Sequence, residues 1–181
     1  MKQLSIVTAV ALVLAASPTL AEDGQKLGIK LSGAQEVPFV STPGNARFEA
    51  LINKDGTHID WTLTYADMQS DVTQAHVHIG QFRVNGGIVL WMCKTNQPTA
   101  PANAALCPGL REGTVSGTWT GADVQTVTAQ GYAPGELDEV IAAIRAGAAY
   151  ANVHTVASPG GEVRGQLGSR RGRGHDGHQH D

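Results

Sequence analysis

The segment Ala75-His76-Val77-His78-Ile79-Gly80 alternates apolar and imidazole side chains with a period of two. Successive side chains of an extended strand point to opposite faces. His76 and His78 therefore share one side, and Ala75, Val77 and Ile79 share the other. Such a segment belongs in a sheet, with apolar packing on one face and imidazoles on the opposite one. A third histidine, His154, falls in a second strand-like run and in register there with Tyr150 and Asn152. Three convergent imidazoles would form a metal site, so the pairing of these two runs is the central structural question.

The remaining sequence extends the sheet. Leu27 to Leu31 starts a first strand. Ala46 to Asn53 and Thr57 to Tyr65 flank Lys54-Asp55-Gly56, and Asp-Gly between alternating runs is a strong hairpin signal. Ile59, Trp61, Leu63 and Tyr65 share one face of the second run, while His58, Asp60, Thr62 and Thr64 share the other. Further strands are expected at 72–79, at 87–94 after the turn Asn85-Gly86-Gly87, and at 114–120. A closing hairpin, 148–155 and 162–167, turns through Ser158-Pro159-Gly160-Gly161. Leu137, Val140, Ile141 and Ile144 recur at helical spacing. With Pro134 before them, acidic residues at their start and Gly147 after them, they predict one short helix over about 135–146. Abundant glycine (22 residues) and sparse charge (16%) accord with an all-β domain.

The ends read differently. Lys2, the apolar run Leu4 to Ala16 and the small-residue site Thr19-Leu20-Ala21 have the order of a secretory signal, so 1–21 is expected to be a signal peptide. Residues 22–26 read as a flexible leader and 27–168 as one domain. The stretch 169–181 is rich in His, Arg and Gly and has no apolar side chain, which predicts a disordered tail. Its His175, His178 and His180 suit weak metal capture, and its arginines suit contact with acidic polymers or lipid head groups. No other segment suits a membrane span once the signal is cleaved. A net charge of −3 gives no basic face for nucleic acid. The expected location is secreted or periplasmic.

Cys93 and Cys107 are the only two cysteines. An even count in an exported chain suggests a disulfide, closing a loop of about 15 residues at a gain on the order of 3 kcal/mol. Two free thiols, or a cysteine ligand, are the alternative.

Several blocks together resemble a known family. Ser32-Gly33-Ala34-Gln35-Glu36-Val37-Pro38, the Ala-His-Val-His-Ile-Gly block, Tyr150-Ala151-Asn152-Val153-His154-Thr155 and Pro159 to Leu167 stand in the order seen in the CHRD domain, named after chordin and also found singly in exported bacterial proteins. The resemblance spans about 27–168. It implies an all-β, immunoglobulin-like, Greek-key antiparallel β-sandwich, here with one short helix near its C-terminal end. In chordin such domains belong to a protein that binds secreted growth factors, and for single-domain members the resemblance implies little about activity. A His-x-His pair with a later histidine is also similar to copper/zinc superoxide dismutase. This chain has no bridging histidine and no histidine-rich zinc loop, and His58 is the only other histidine in the folded part.

Two readings of the histidines follow. In one, His76, His78 and His154 bind a single copper or zinc ion, with Asn152, Glu162 and Arg164 orienting the site from behind. In the other, the imidazoles brace the sheet through hydrogen bonds to Asn152, Thr155, Glu162 or Arg164. Glu162 and Arg164 share a strand face, as a solvated ion pair or with the arginine poised near an anion in the pocket. The chain thus reads as an exported binding or structural module, leaning away from an enzyme, with an unknown extracellular or periplasmic partner. The alternative is a small copper- or zinc-dependent metalloprotein with redox or carrier activity. A third reading, a surface protein that binds through a sheet edge, needs an exposed apolar patch near Trp91 or Tyr132.

Overall fold

Alternation of apolar and polar residues builds eight strands and one helix in the computed structural model, which describes residues 24–95 and 97–168. The strands are β1 (Gln25–Ser32), β2 (Asn45–Ile52), β3 (Ile59–Ala66), β4 (Val72–Ile79), β5 (Ile88–Lys94), β6 (Gly113–Trp119), β7 (Ala149–Thr155) and β8 (Val163–Leu167). The helix α1 spans Leu137–Arg145 and turns Leu137, Val140, Ile141 and Ile144 inward. The expected signal peptide (1–21) and tail (169–181) lie outside the described residues. The expected leader (22–26) overlaps β1, because Gln25 and Lys26 pair with Ile52 and Leu51.

Every strand pairing is antiparallel, in the order β5-β4-β7-β8-β1-β2-β3-β6. Ser32 and Arg164 are the only registered pair between β1 and β8. That thin junction divides the sheet into two four-stranded halves, which are the two layers of the expected sandwich. At the other end the edges β5 and β6 approach each other, and the Trp119 indole N–H donates to the Trp91 carbonyl across the gap (2.9 Å). The architecture is therefore all-β and close to a closed barrel, with a single helix near the C-terminal end.

The layers meet in a continuous apolar core. β2 contributes Phe48 and Ile52, β3 contributes Ile59, Leu63 and Tyr65, β4 contributes Ala75 and Val77, and β7 contributes Ala151 and Val153. Trp119 stacks between Trp61 (ring centroids 4.7 Å) and Phe48 (6.0 Å). On β3 the alternation holds as expected, with odd-numbered residues buried and even-numbered ones facing outward. On β4 it does not divide inside from outside, since Ala75 to Ile79 are all buried. The side opposite the apolar core is covered by two connections, 33–44 after β1 and 80–87 between β4 and β5.

Cys93 and Cys107 form the expected disulfide. It holds a segment with little apolar content against β5, where Lys94 and Leu106 also form a short bridge. Replacing both cysteines with alanine is expected to lower unfolding free energy by on the order of 3 kcal/mol. Urea denaturation of oxidised wild type against the double variant checks this, with a lower midpoint and a slope that is equal or steeper, because the uncrosslinked chain unfolds to a more expanded state.

Candidate metal centre

Register brings the histidines together. Across the β4–β7 ladder Gln74 pairs with His154, His76 with Asn152 and His78 with Tyr150. Residues two apart on each strand share a face, so His76, His78, Tyr150, Asn152 and His154 project to one side. Ring centroids lie 4.6 Å apart for His76 and His78, 4.5 Å for His76 and His154, and 6.3 Å for His78 and His154. One ring nitrogen from each histidine falls within 4.8 Å of the other two. All three residues are buried, with His76 wholly inaccessible (0%).

The flanking hydrogen bonds fix which nitrogens face inward. His78 Nδ1 lies 2.8 Å from the Gly86 carbonyl oxygen, and His154 Nδ1 lies 2.9 Å from that of Pro159. A carbonyl oxygen only accepts, so both Nδ1 atoms carry the proton. Each Nε2 is then an unprotonated lone-pair donor. Neither of these Nε2 atoms has a hydrogen-bond partner, and neither ring nitrogen of His76 has one. A buried polar atom left unpaired costs about 1–3 kcal/mol, so several together need an explanation.

Burial also keeps the rings neutral. Desolvation comes first among the causes for all three. It holds His76 well below the usual imidazole range, helped by the other two rings. It brings His78 down to about 4, against a smaller upward pull from the Gly86 carbonyl. It lowers His154, opposed by the Pro159 carbonyl. Neutral imidazole is the ligating form. The residues thus fit a transition-metal ion, since three neutral imidazole nitrogens within 4.8 Å of one another suit copper or zinc.

Around the triad the structure sorts the other expected residues. Asn152 lies beside His76 as its cross-strand neighbour, and its Oδ1 is buried without a partner. Glu162 does not touch the histidines. Its carboxylate accepts from Thr42 Oγ1 (2.6 Å), Thr155 Oγ1 (2.6 Å) and the Gln69 backbone N–H (2.9 Å), tying remote loops to the start of β8. Arg164 donates to Asn85 Oδ1 (3.0 Å) and to the carbonyls of Val84 (2.9 Å) and Gln81 (3.3 Å). Neither is solvated and they form no ion pair, which corrects that expectation: each group is buried and satisfied by a different loop. Of the side chains that could brace the histidines, Thr155, Glu162 and Arg164 bond to other partners, while the Asn152 amide stays beside His76 and His78 and pulls both rings' values upward.

Three further residues complete the surroundings through contacts that the sequence did not mark. Tyr150 is sandwiched, with His78 stacked on one face (4.7 Å, 4° between planes) and the Arg164 guanidinium on the other (3.4 Å). Trp91 of β5 stands edge-on to His76 at 4.9 Å and closes that side. Glu36 is buried, and desolvation pushes its carboxyl up to about 7 despite the Val37 backbone N–H and the nearby Arg164. Gly161 makes room for it. At φ 121° the backbone there favours glycine, and a side chain would collide with the Glu36 carboxyl and the Asn152 amide. His58 remains outside the cluster, exposed beside Asp60 (3.8 Å).

Protonation should therefore unfold the metal-free protein. A histidine whose folded value is depressed takes up its proton more readily when unfolded, so stability falls as pH drops below about 6.5. For His78, displaced from 6.5 to about 4, the loss by pH 4 is on the order of 3 kcal/mol at about 1.4 kcal/mol per pH decade. Glu36 acts oppositely. Its raised value gives stability that is complete below pH 4.5 and declines toward pH 7. With three imidazoles against one carboxyl, unfolding free energy measured in chelator is expected to decrease from pH 7 to pH 4. Substituting His78→Gln should flatten that slope.

The CHRD-domain family model matches residues 27–167, nearly the whole described chain. Comparison with curated proteins and with solved structures gives no significant match.

Proposed function

This chain belongs to the CHRD-domain family, and we propose that it is an exported binding module whose His76, His78 and His154 hold one copper or zinc ion. One observation carries the reading. Two of the three rings have Nδ1 committed to backbone carbonyls, so their bare Nε2 atoms share a sealed pocket with a third, wholly unpartnered ring. Carbonyl acceptors behind metal-ligating histidines set tautomer and ring orientation in this way. A purely bracing role would leave fewer of these nitrogens unpaired.

When bound, such an ion supplies a fixed positive centre that crosslinks β4 to β7. The protein's own part is to hold three neutral rings, to exclude water beneath Trp91, and to seat His78 against Tyr150. The depth of burial favours a resident ion over one exposed to substrate, which supports a binding or structural module over a redox enzyme or carrier. Trp91 itself is buried and Tyr132 only partly exposed. Export agrees with the disulfide. Among the described residues no helix is long and apolar enough to cross a membrane.

Calorimetric titration with Cu(II) and Zn(II) checks the assignment, using a mature chain whose His175, His178 and His180 are replaced by asparagine. One ion should bind with sub-micromolar affinity and raise the melting temperature by mass action. His76→Ala or His154→Ala should abolish that binding, and Cu(II) should quench tryptophan emission through Trp91. Absence of sub-micromolar binding, or binding unchanged in both variants, overturns the reading.

A further inference from the structure

Three imidazoles leave one position of a four-coordinate site unfilled. Among the described residues no cysteine, aspartate or glutamate joins the three histidines within ligand reach. The other β7 side chains on their face are Tyr150 and Asn152. Tyr150 Oη is engaged, accepting from the Gly86 backbone N–H (3.3 Å). Asn152 is 2% exposed, stands opposite His76 across one ladder and Arg164 across the next, and its Oδ1 has no hydrogen-bond partner.

The surroundings give the amide a direction. Its Nδ2 and the Glu36 carboxyl both border the space that a side chain at Gly161 would fill, with Nδ2 at 2.9 Å from that Cβ position. The amide pulls the Glu36 value down, as a donor beside a carboxylate does. It pulls the values of His76 and His78 up, as an acceptor beside an imidazolium does. The N–H end therefore belongs to Glu36 and the oxygen end to the rings.

Asn152 Oδ1 is thus an acceptor among acceptors. With both Nδ1 protons committed to carbonyls, His78 and His154 present only Nε2 lone pairs to the pocket. No lone pair satisfies another, whereas one cation satisfies them all. Burying such a set without a cation would leave every member unpaired.

We propose that Asn152 Oδ1 is the fourth ligand to the ion held by His76, His78 and His154, so that the site is closed and offers no position to water or substrate. The inference rests on the metal assignment above and adds the coordination number. Cu(II) is the probe, because N and O sites bind it most tightly among the divalent first-row ions. The protein is the mature chain with His175, His178 and His180 replaced by asparagine. Excess azide should leave the electron paramagnetic resonance spectrum of its bound Cu(II) unchanged, and no azide-to-copper charge-transfer band should appear. Asn152→Ala should admit azide and weaken Cu(II) binding by no less than the roughly 10–100-fold that loss of an outer-shell partner costs. Asn152→Asp keeps the size and an oxygen. It should shift the Cu(II) spectrum without azide and still exclude azide, and melting in chelator identifies the variants that fold. A wild-type site that takes up azide, an azide response and affinity unchanged in folded Asn152→Ala, or a spectrum unmoved by Asn152→Asp overturns the proposal and leaves the three-histidine site standing. Absence of Cu(II) binding in the unsubstituted site overturns both.

Discussion

The β4–β7 ladder is the interaction on which the rest depends. It is the point where one strand must serve two interiors. Ala75 and Val77 face an apolar core that drives folding through burial, and His76 and His78 face a polar pocket that would be expensive to bury without compensation. Because the pleat has a period of two, the same register that seats the core also seats the imidazoles. A slip of one residue would put histidines into the apolar layer and Val77 among the polar groups. Core packing therefore enforces the geometry of the pocket.

Closure of the pocket comes from elsewhere in the chain. The 80–87 connection is held down by Arg164, whose guanidinium donates to three oxygens from that loop while its flat face covers Tyr150. The segment 33–44 is held by Thr42 on the Glu162 carboxylate. These two buried charges are spent on loops rather than on each other. Each makes three hydrogen bonds, which helps a buried charge be tolerated. Tyr150 transmits the arrangement inward, since the ring that Arg164 covers is the ring on which His78 lies.

Much of this is legible in the residues. The alternation at 75–79, the Asp-Gly hairpin and the spacing of Leu137, Val140, Ile141 and Ile144 each specify local structure, and all eight strands fall close to where the pattern puts them. The shared face of His76, His78 and His154 follows from strand periodicity and pairing. Burial of that face does not, because its cover comes from loops far away in sequence. The fixing of the Nδ1 protons is equally hidden, since any residue offers a carbonyl and nothing in Gly86 or Pro159 advertises its role. Glu162 and Arg164 read as neighbours on one strand, yet Glu162 precedes β8 and faces Thr42 and Thr155, so strand alternation does not govern it.

The narrow junction at Ser32 and Arg164 carries a consequence for how this molecule tolerates change. Every histidine of the triad and both of its carbonyl braces sit on β4, β7 and the turns beside them, all in the half of the sheet that ends at β8. The outward surfaces of β2 and β3 belong to the other half and share no side chain with the pocket. Those surfaces are free to diverge, or to be redecorated by design, while the chemistry on the opposite layer stays as it is.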